Sequence, residues 1–259
     1  MAALAEVLAL GESALAAGIA VFLRVVAAVA VLPAFGEQSL SVRIRLAAAV
    51  ALTVLVAPAV APHFDAASGG LDWPRLIRLL GSETIVGLTF GLVLRLLIHA
   101  LQITGTIAAQ STSLAQLFGG ASAEPLPAIG HLLVVSGLAL AAMADLHVLV
   151  VEALIGTYSL FPPGAVLAPG ALAELGVAHV GRAFALAFTL AAPFVIGALV
   201  YNLALGAINR AMPQLMVAFV GAPAITGAGL ALLALVAPLA LEIWADTLRA
   251  TVQDPFGPL

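Results

Sequence analysis

Three apolar runs dominate the sequence: Ile77 to Phe118, Leu126 to Leu160 and Leu172 to Ile208. Each is between about one and a half and two times as long as a bilayer crossing requires. A crossing takes ~20 residues, because a helix rises ~1.5 Å per residue through ~30 Å of hydrocarbon, so ~40 residues in one helix would reach ~60 Å. Each run must therefore fold back or leave the lipid. Two shorter runs precede them. Ser13 to Leu32 is a clean span with Arg24 inside it and Pro33 at its end, and Leu46 to Ala61 is marginally short. Of 259 residues 63% are hydrophobic and 8% charged, with a mean hydropathy of +1.20; soluble domains carry about a quarter charged residues. The expected fold is all-α: a polytopic integral membrane protein of long helices and helical hairpins. Neither an internal repeat nor a second domain is visible, so residues 1–259 read as one membrane domain.

The few charges narrow the function. Nine arginines and no lysine face 13 acidic residues, a formal net charge of -4, which offers no basic surface for nucleic acid. The absence of cysteine removes disulfides, thiolate metal sites and thiol nucleophiles. Glu6 and Glu12 stand where a secretory signal needs basic residues, so no cleavable peptide is expected. Arg43 and Arg45, in the polar stretch Phe35 to Arg45, favour the cytoplasmic side, and Pro62 to Pro74 is the clearest hydrophilic loop. Inside the long runs, Glu83, Arg95, His99, Gln102 and Gln110 punctuate the first, and Asp145, His147 and Glu152 the second. A charge at the bilayer centre costs about 2.5–3.5 kcal/mol, so these groups should face protein, one another or water. Gly87 and Gly91, spaced G-x-x-x-G, permit close helix approach.

No strong catalytic signature is present: H-E-x-x-H, G-x-S-x-G, a P-loop and a Rossmann fingerprint are all missing. Asp145, His147 and Glu152 suggest a metal site or proton relay less well than a helix end meeting water. Ser136 and His147 lack the oxyanion-hole motif and spacing of a protease pair. No catalytic residue, metal or cofactor is expected. Arg24 reads as an inter-helix or inter-subunit pairing residue.

The stretch Asn209 to Gly227, NRAMPQLMVAFVGAPAITG, places an Asn, an Arg, a Gln and two prolines between apolar runs. Pro213 and Pro223 each remove a backbone donor, and Gly221, Gly227 and Gly229 loosen the segment, so a turn between two helices is expected. The stretch also resembles the signature of the FliR family, the T-type subunit of the type III export gate of flagella and related injectisomes. The N-R-x-x-P-Q-L element with a following G-x-P is matched by Asn209, Arg210, Pro213, Gln214, Leu215, Gly221 and Pro223. Pro193, Asn202, Leu205 and Gly206 match the segment before it. Near the N-terminus, FLRVVAAVAVLPAFG and VRIRLAAAVAL, with Arg24, Pro33, Arg43 and Arg45, resemble the family's opening. DLHVLVVEALIGTYSLFPPG resembles its central segment, which runs to P-x-G. Departures are Met216 and Ala218 where relatives carry Asn and Phe, Leu146 for the usual Gly, and Gln110-Ser111-Thr112 for Q-x-G.

The resemblance implies a non-enzymatic subunit of the flagellar export gate in the inner membrane. With P-type and Q-type partners, and in contact with the larger B-type and A-type export proteins, it would form a closed conduit for unfolded substrates. It implies that Arg24, Asn202, Asn209, Arg210, Pro213, Gln214, Gly221 and Pro223 serve subunit contacts. It also implies that Gln110 to Ser122 plugs the channel, with Leu117 and Phe118 as stoppers, Gln110 and Gln116 as polar lining and Gly119-Gly120 as a hinge. The alternative is a secondary transporter for a small solute, with Pro193, Pro213 and Pro223 breaking helices near the midplane; it would show inverted repeats.

Overall fold

Proline, glycine and aspartate set the ends of the helices. The structure is a computed structural model and describes residues 2–36, 40–65, 73–112, 128–165, 167–212 and 217–257. Among them are seven α-helices and no strand: α1 (Ala2–Val31), α2 (Val42–Asp65), α3 (Trp73–Thr112), α4 (Ala128–Met143), α5 (Leu146–Leu160), α6 (Pro169–Ala211) and α7 (Val217–Gln253). Among the described residues four stretches are long and apolar enough to cross a membrane: Val42–Phe64, Leu76–Ser111, Pro169–Ala211 and Gly227–Gln253. The α4–α5 pair makes a fifth if counted as one broken span. The chain is a polytopic membrane protein.

Two of the three over-long runs stay single helices, α3 with 40 residues and α6 with 43. The other breaks at Asp145, whose backbone is left-handed at φ 55°, ψ 32°, a conformation that Asp tolerates better than most side chains. Its carbonyl accepts from Val148 N at 2.9 Å and starts α5. α1 stops before Pro33, and Ala34 turns left-handed at φ 68° while Gly36 N donates to Leu32 O at 2.7 Å. The loop expected from Pro62 begins later, because α2 runs through Pro58 and Pro62 to Asp65. α6 ends at Ala211 and α7 begins at Val217; Pro213 and Gln214, where the turn was expected, lie outside the described residues. Pro223 does not break α7, contrary to expectation; apolar helices tolerate a proline when the rest of the ladder is kept.

Contacts divide the chain into two units, each assembled from separated segments. One comprises Met1–Leu96, Ala144–His179 and Leu248–Leu259. In it α1 packs along α2, and α2 on α5, around Val21, Val25, Val29, Ala49, Val56, Val60 and Tyr158. α3 meets α1 backbone to backbone. A Cβ on Gly87 would collide with the Arg24 carbonyl, and one on Gly91 would lie 2.6 Å from the Ala28 carbonyl oxygen. The four-residue spacing recurs on both helices, so the contact covers a full turn and uses the G-x-x-x-G pattern for close approach.

The other unit comprises Leu97–Met143 and Val180–Thr247. α3 and α4 touch at Gly105 and Gly130, where a Cβ on Gly105 would overlap the Gly130 backbone. Trp244 of α7, fully buried, donates from Nε1 to the Leu97 carbonyl at 2.8 Å. Thr104 Oγ1 lies 3.2 Å from the Ala187 carbonyl of α6, besides donating to Ala100 O of its own helix at 2.8 Å.

These contacts set opposite signs for one substitution. Gly87→Ala and Gly105→Ala should each lower stability in detergent by about 1–3 kcal/mol, the usual cost of overpacking. Gly156→Ala, on an exposed face of α5 with nothing within 4 Å of the added methyl, should raise it by about 0.5–1 kcal/mol. Thermal unfolding of the three variants checks both signs.

Candidate functional site

Arg24 sits in the apolar run of α1 and Glu83 in that of α3, 59 residues apart in sequence. The fold pairs them. Arg24 Nε donates to Glu83 Oε2 at 2.7 Å and Nη2 to Oε1 at 3.2 Å, with side chains 1% and 0% exposed. Nη1 donates to Thr157 Oγ1 at 2.9 Å and Nη2 to the Phe161 carbonyl at 2.9 Å. Four of the five guanidinium N–H groups are thus engaged. The planar cation also lies over the Tyr158 ring, 3.6 Å from its centroid, in cation–π contact.

Each partner is placed by local structure. Thr157 and Tyr158 lie in the last turn of α5, where Thr157 Oγ1 also donates to the Leu154 carbonyl at 2.6 Å. The Pro162-Pro163-Gly164 turn follows, closed by Ala165 N to Pro162 O at 2.9 Å. Gly164 takes φ +79°, which a glycine after a proline does readily. The turn aims Gly164 N at Glu83 Oε1, 3.3 Å away. Phe161 packs edge-on against Phe256, with centroids 4.9 Å apart. One ion pair therefore joins α1, α3, the end of α5 and the turn leading to α6. The arrangement holds structure, since both charges face protein groups within the chain. Arg95 of α3 adds a weaker tie to the end of α1, with Nη1 3.4 Å from the carbonyls of Val31 and Gly36.

Arg24 had two readings from sequence, inter-helix or inter-subunit; its guanidinium is buried and paired inside this chain. Asn202, Asn209 and Arg210 are all exposed, on the C-terminal third of α6. Gln110 is exposed near the end of α3. Gln116, Leu117, Phe118, Gly119 and Gly120 lie outside the described residues, as do Pro213 and Gln214; Gly221 and Pro223 fall in the first turns of α7. Asp145, His147 and Glu152 are exposed, and among the described residues no group of three metal-ligating side chains forms. Sequence reasoning placed Glu83 among groups needing a partner but missed Thr157 and Tyr158. The signal was present: an Arg and a Glu buried in different apolar runs are obliged to find each other.

Arg24→Leu leaves the Glu83 charge buried without its cation, and Glu83→Leu does the converse. Each should cost about 3–5 kcal/mol. Arg24→Met combined with Glu83→Leu should recover most of that loss, because a buried pair is replaced by apolar groups without a stranded charge. The midpoint of thermal unfolding in mild detergent, compared across the four chains, provides the check.

Residues 15–251 match the family described as bacterial export proteins, family 1. The chain is 34% identical over 234 residues to the flagellar biosynthetic protein FliR of Caulobacter vibrioides, covering 88% of this chain and 91% of that one. It is 28% identical over 239 residues to the flagellar biosynthetic protein FliR of Pectobacterium carotovorum subsp. carotovorum, covering 90% and 88%. With the match covering Arg24, Glu83, Thr157 and Gly164 of the polar junction, the chain belongs to family 1 of the bacterial export proteins, the FliR family.

Proposed function

We propose that the chain is a non-enzymatic subunit of the flagellar protein-export apparatus in the bacterial inner membrane, acting over residues 1–259 as one functional domain. The observation that carries this reading is family membership along nearly the whole chain, with two relatives bearing the name of a flagellar biosynthetic protein. In this reading the chain assembles with P-type and Q-type gate subunits, meets the larger B-type and A-type export proteins, and helps to form a closed conduit for unfolded export substrates. The plugging role of Gln110 to Ser122 belongs to the same reading and rests on the resemblance alone.

Two structural features support an assembly subunit. Large apolar side chains along α6, among them Phe188, Leu199 and Leu203, are exposed in the single chain, as a helix surrounded by lipid or by other helices requires. The two charges of the Arg24 junction are already paired within the chain, leaving no free charge there to bind a small solute. Family membership does not favour the secondary-transporter alternative.

Deleting the gene in its native host should abolish flagellar filaments and the export of hook subunits while leaving general secretion intact, and the wild-type gene should restore both. Immunoblots of hook protein in the medium, with a Sec-dependent protein as control, measure this. Unchanged hook export in the deletion strain would overturn the proposed function.

A further inference from the structure

The hydrogen bonds of the Arg24 junction engage α1, α3, the end of α5 and the turn after it, and they leave two neighbouring polar atoms unused. Tyr158 is fully buried, yet its hydroxyl meets no hydrogen-bond partner among the described residues. The same holds for Nδ1 of His63, a half-buried residue in the last turn of α2. The two rings lie 6.4 Å apart between centroids and are inclined at 52°. Their surroundings are apolar: Tyr158 belongs to the cluster of Val21, Val25 and Val60, and the Phe64 ring stands 6.1 Å from it on the α2 side.

Polar atoms shut away from solvent are almost always satisfied in native interiors, by protein or by an ordered water. Protein does not serve here. The Glu83 carboxylate acts electrostatically on the phenol but does not reach hydrogen-bond geometry with it. Its oxygens accept from Arg24 Nε, Arg24 Nη2 and Gly164 N, which leaves acceptor capacity on a group with about four lone-pair positions. Charge selects what can complete the set. The guanidinium over the Tyr158 ring repels a cation, and the Glu83 carboxylate repels an anion. A neutral molecule that both donates and accepts is required. One water, with hydrogen bonds of ~2.8 Å on either side, joins groups up to ~5 Å apart, which suits rings at this separation.

We propose that one ordered water molecule is bound between His63 Nδ1 and the Tyr158 hydroxyl, with the Glu83 carboxylate as its third partner. It accepts from or donates to Nδ1 as the imidazole tautomer requires, so either neutral form of His63 holds it. The water brings α2, which packs on α1 and α5 through apolar side chains, into the polar network that joins α1, α3 and α5.

The test is X-ray radiolysis of the full chain, kept with the assembly it forms in its native membranes, with side-chain modification read by peptide mass spectrometry. Hydroxyl radicals formed from an ordered water modify the side chains that hold it, whereas an aromatic in a dry core is spared. Tyr158 should be modified, while Trp244 and Phe90, just as fully buried, should not. His63→Leu should abolish the Tyr158 modification. His63→Asn, which keeps a polar atom close to the position of Nδ1, should retain it. Tyr158→Phe should lower the midpoint of thermal unfolding by about 2–4 °C, because the water and His63 lose a partner. A wild-type Tyr158 as inert as Trp244 and Phe90 would overturn the water site whether or not any variant folds. Modification that persists in His63→Leu would show that the imidazole does not hold the water, and would overturn it as well. A Tyr158→Phe chain that unfolds at or above the wild-type temperature would place the hydroxyl in a dry apolar site, with the same consequence.

Discussion

The structure depends on one requirement: a charge that leaves water must take its counter-charge and its hydrogen-bond partners with it. Arg24 and Glu83 meet it inside the chain. Their pairing is possible only because α1 and α3 approach closely enough at Gly87 and Gly91 for the backbones to touch. The pair then captures the end of α5 through Thr157 and the following turn through Phe161 and Gly164. Close packing and charge pairing are therefore one feature. Separating the helices by a methyl group moves the guanidinium away from its carboxylate, and removing the carboxylate leaves the close crossing with a buried, uncompensated cation.

The remaining polar groups of the apolar helices divide according to how they meet the same requirement. Hydroxyls such as Thr53, Thr84, Thr89 and Thr189 return to the carbonyl four residues back on their own helices, which satisfies them wherever the helix sits. Trp244 and Thr104 reach carbonyls of neighbouring helices and so tie the second unit together. Asp145, His147 and Glu152 are exposed around a helix break, where water serves. Asn202, Asn209 and Arg210 use none of these solutions among the described residues. They stand exposed on the C-terminal third of α6.

Much of this was legible in the sequence. The apolar runs announced a polytopic helical protein, and their excess length left two outcomes open for each, of which α3 with 40 residues and α6 with 43 stay single helices while the third run breaks into α4 and α5. The motif around Asn209 and Arg210 announced both the end of α6 and the family. What was not legible turns on distance. Whether Arg24 meets a helix of its own chain or of another depends on contacts 59 and 133 residues away, and no local pattern encodes such a pairing. Thr157 and Tyr158 read as ordinary residues of an apolar helix until the fold brings them to the guanidinium. Pro223 was misjudged because proline's cost in water, where a broken helix can be solvated, exceeds its cost in an apolar helix held by its neighbours.

The central claim is that the chain pairs its deepest charges internally and, as a subunit of the proposed assembly, leaves the exposed side chains of α6 for other chains to cover. Labelling with a lipid-soluble photoactivated carbene, mapped by peptide mass spectrometry on the isolated chain and on the native membrane assembly, tests this directly. The account predicts that α6 between Ala183 and Asn209 is labelled in the isolated chain and protected in the assembly, while the α1–α3 crossing around Arg24 and Gly87 is protected in both. Equal labelling of α6 in the two states, or labelling of the Arg24 crossing in the assembly, would contradict it.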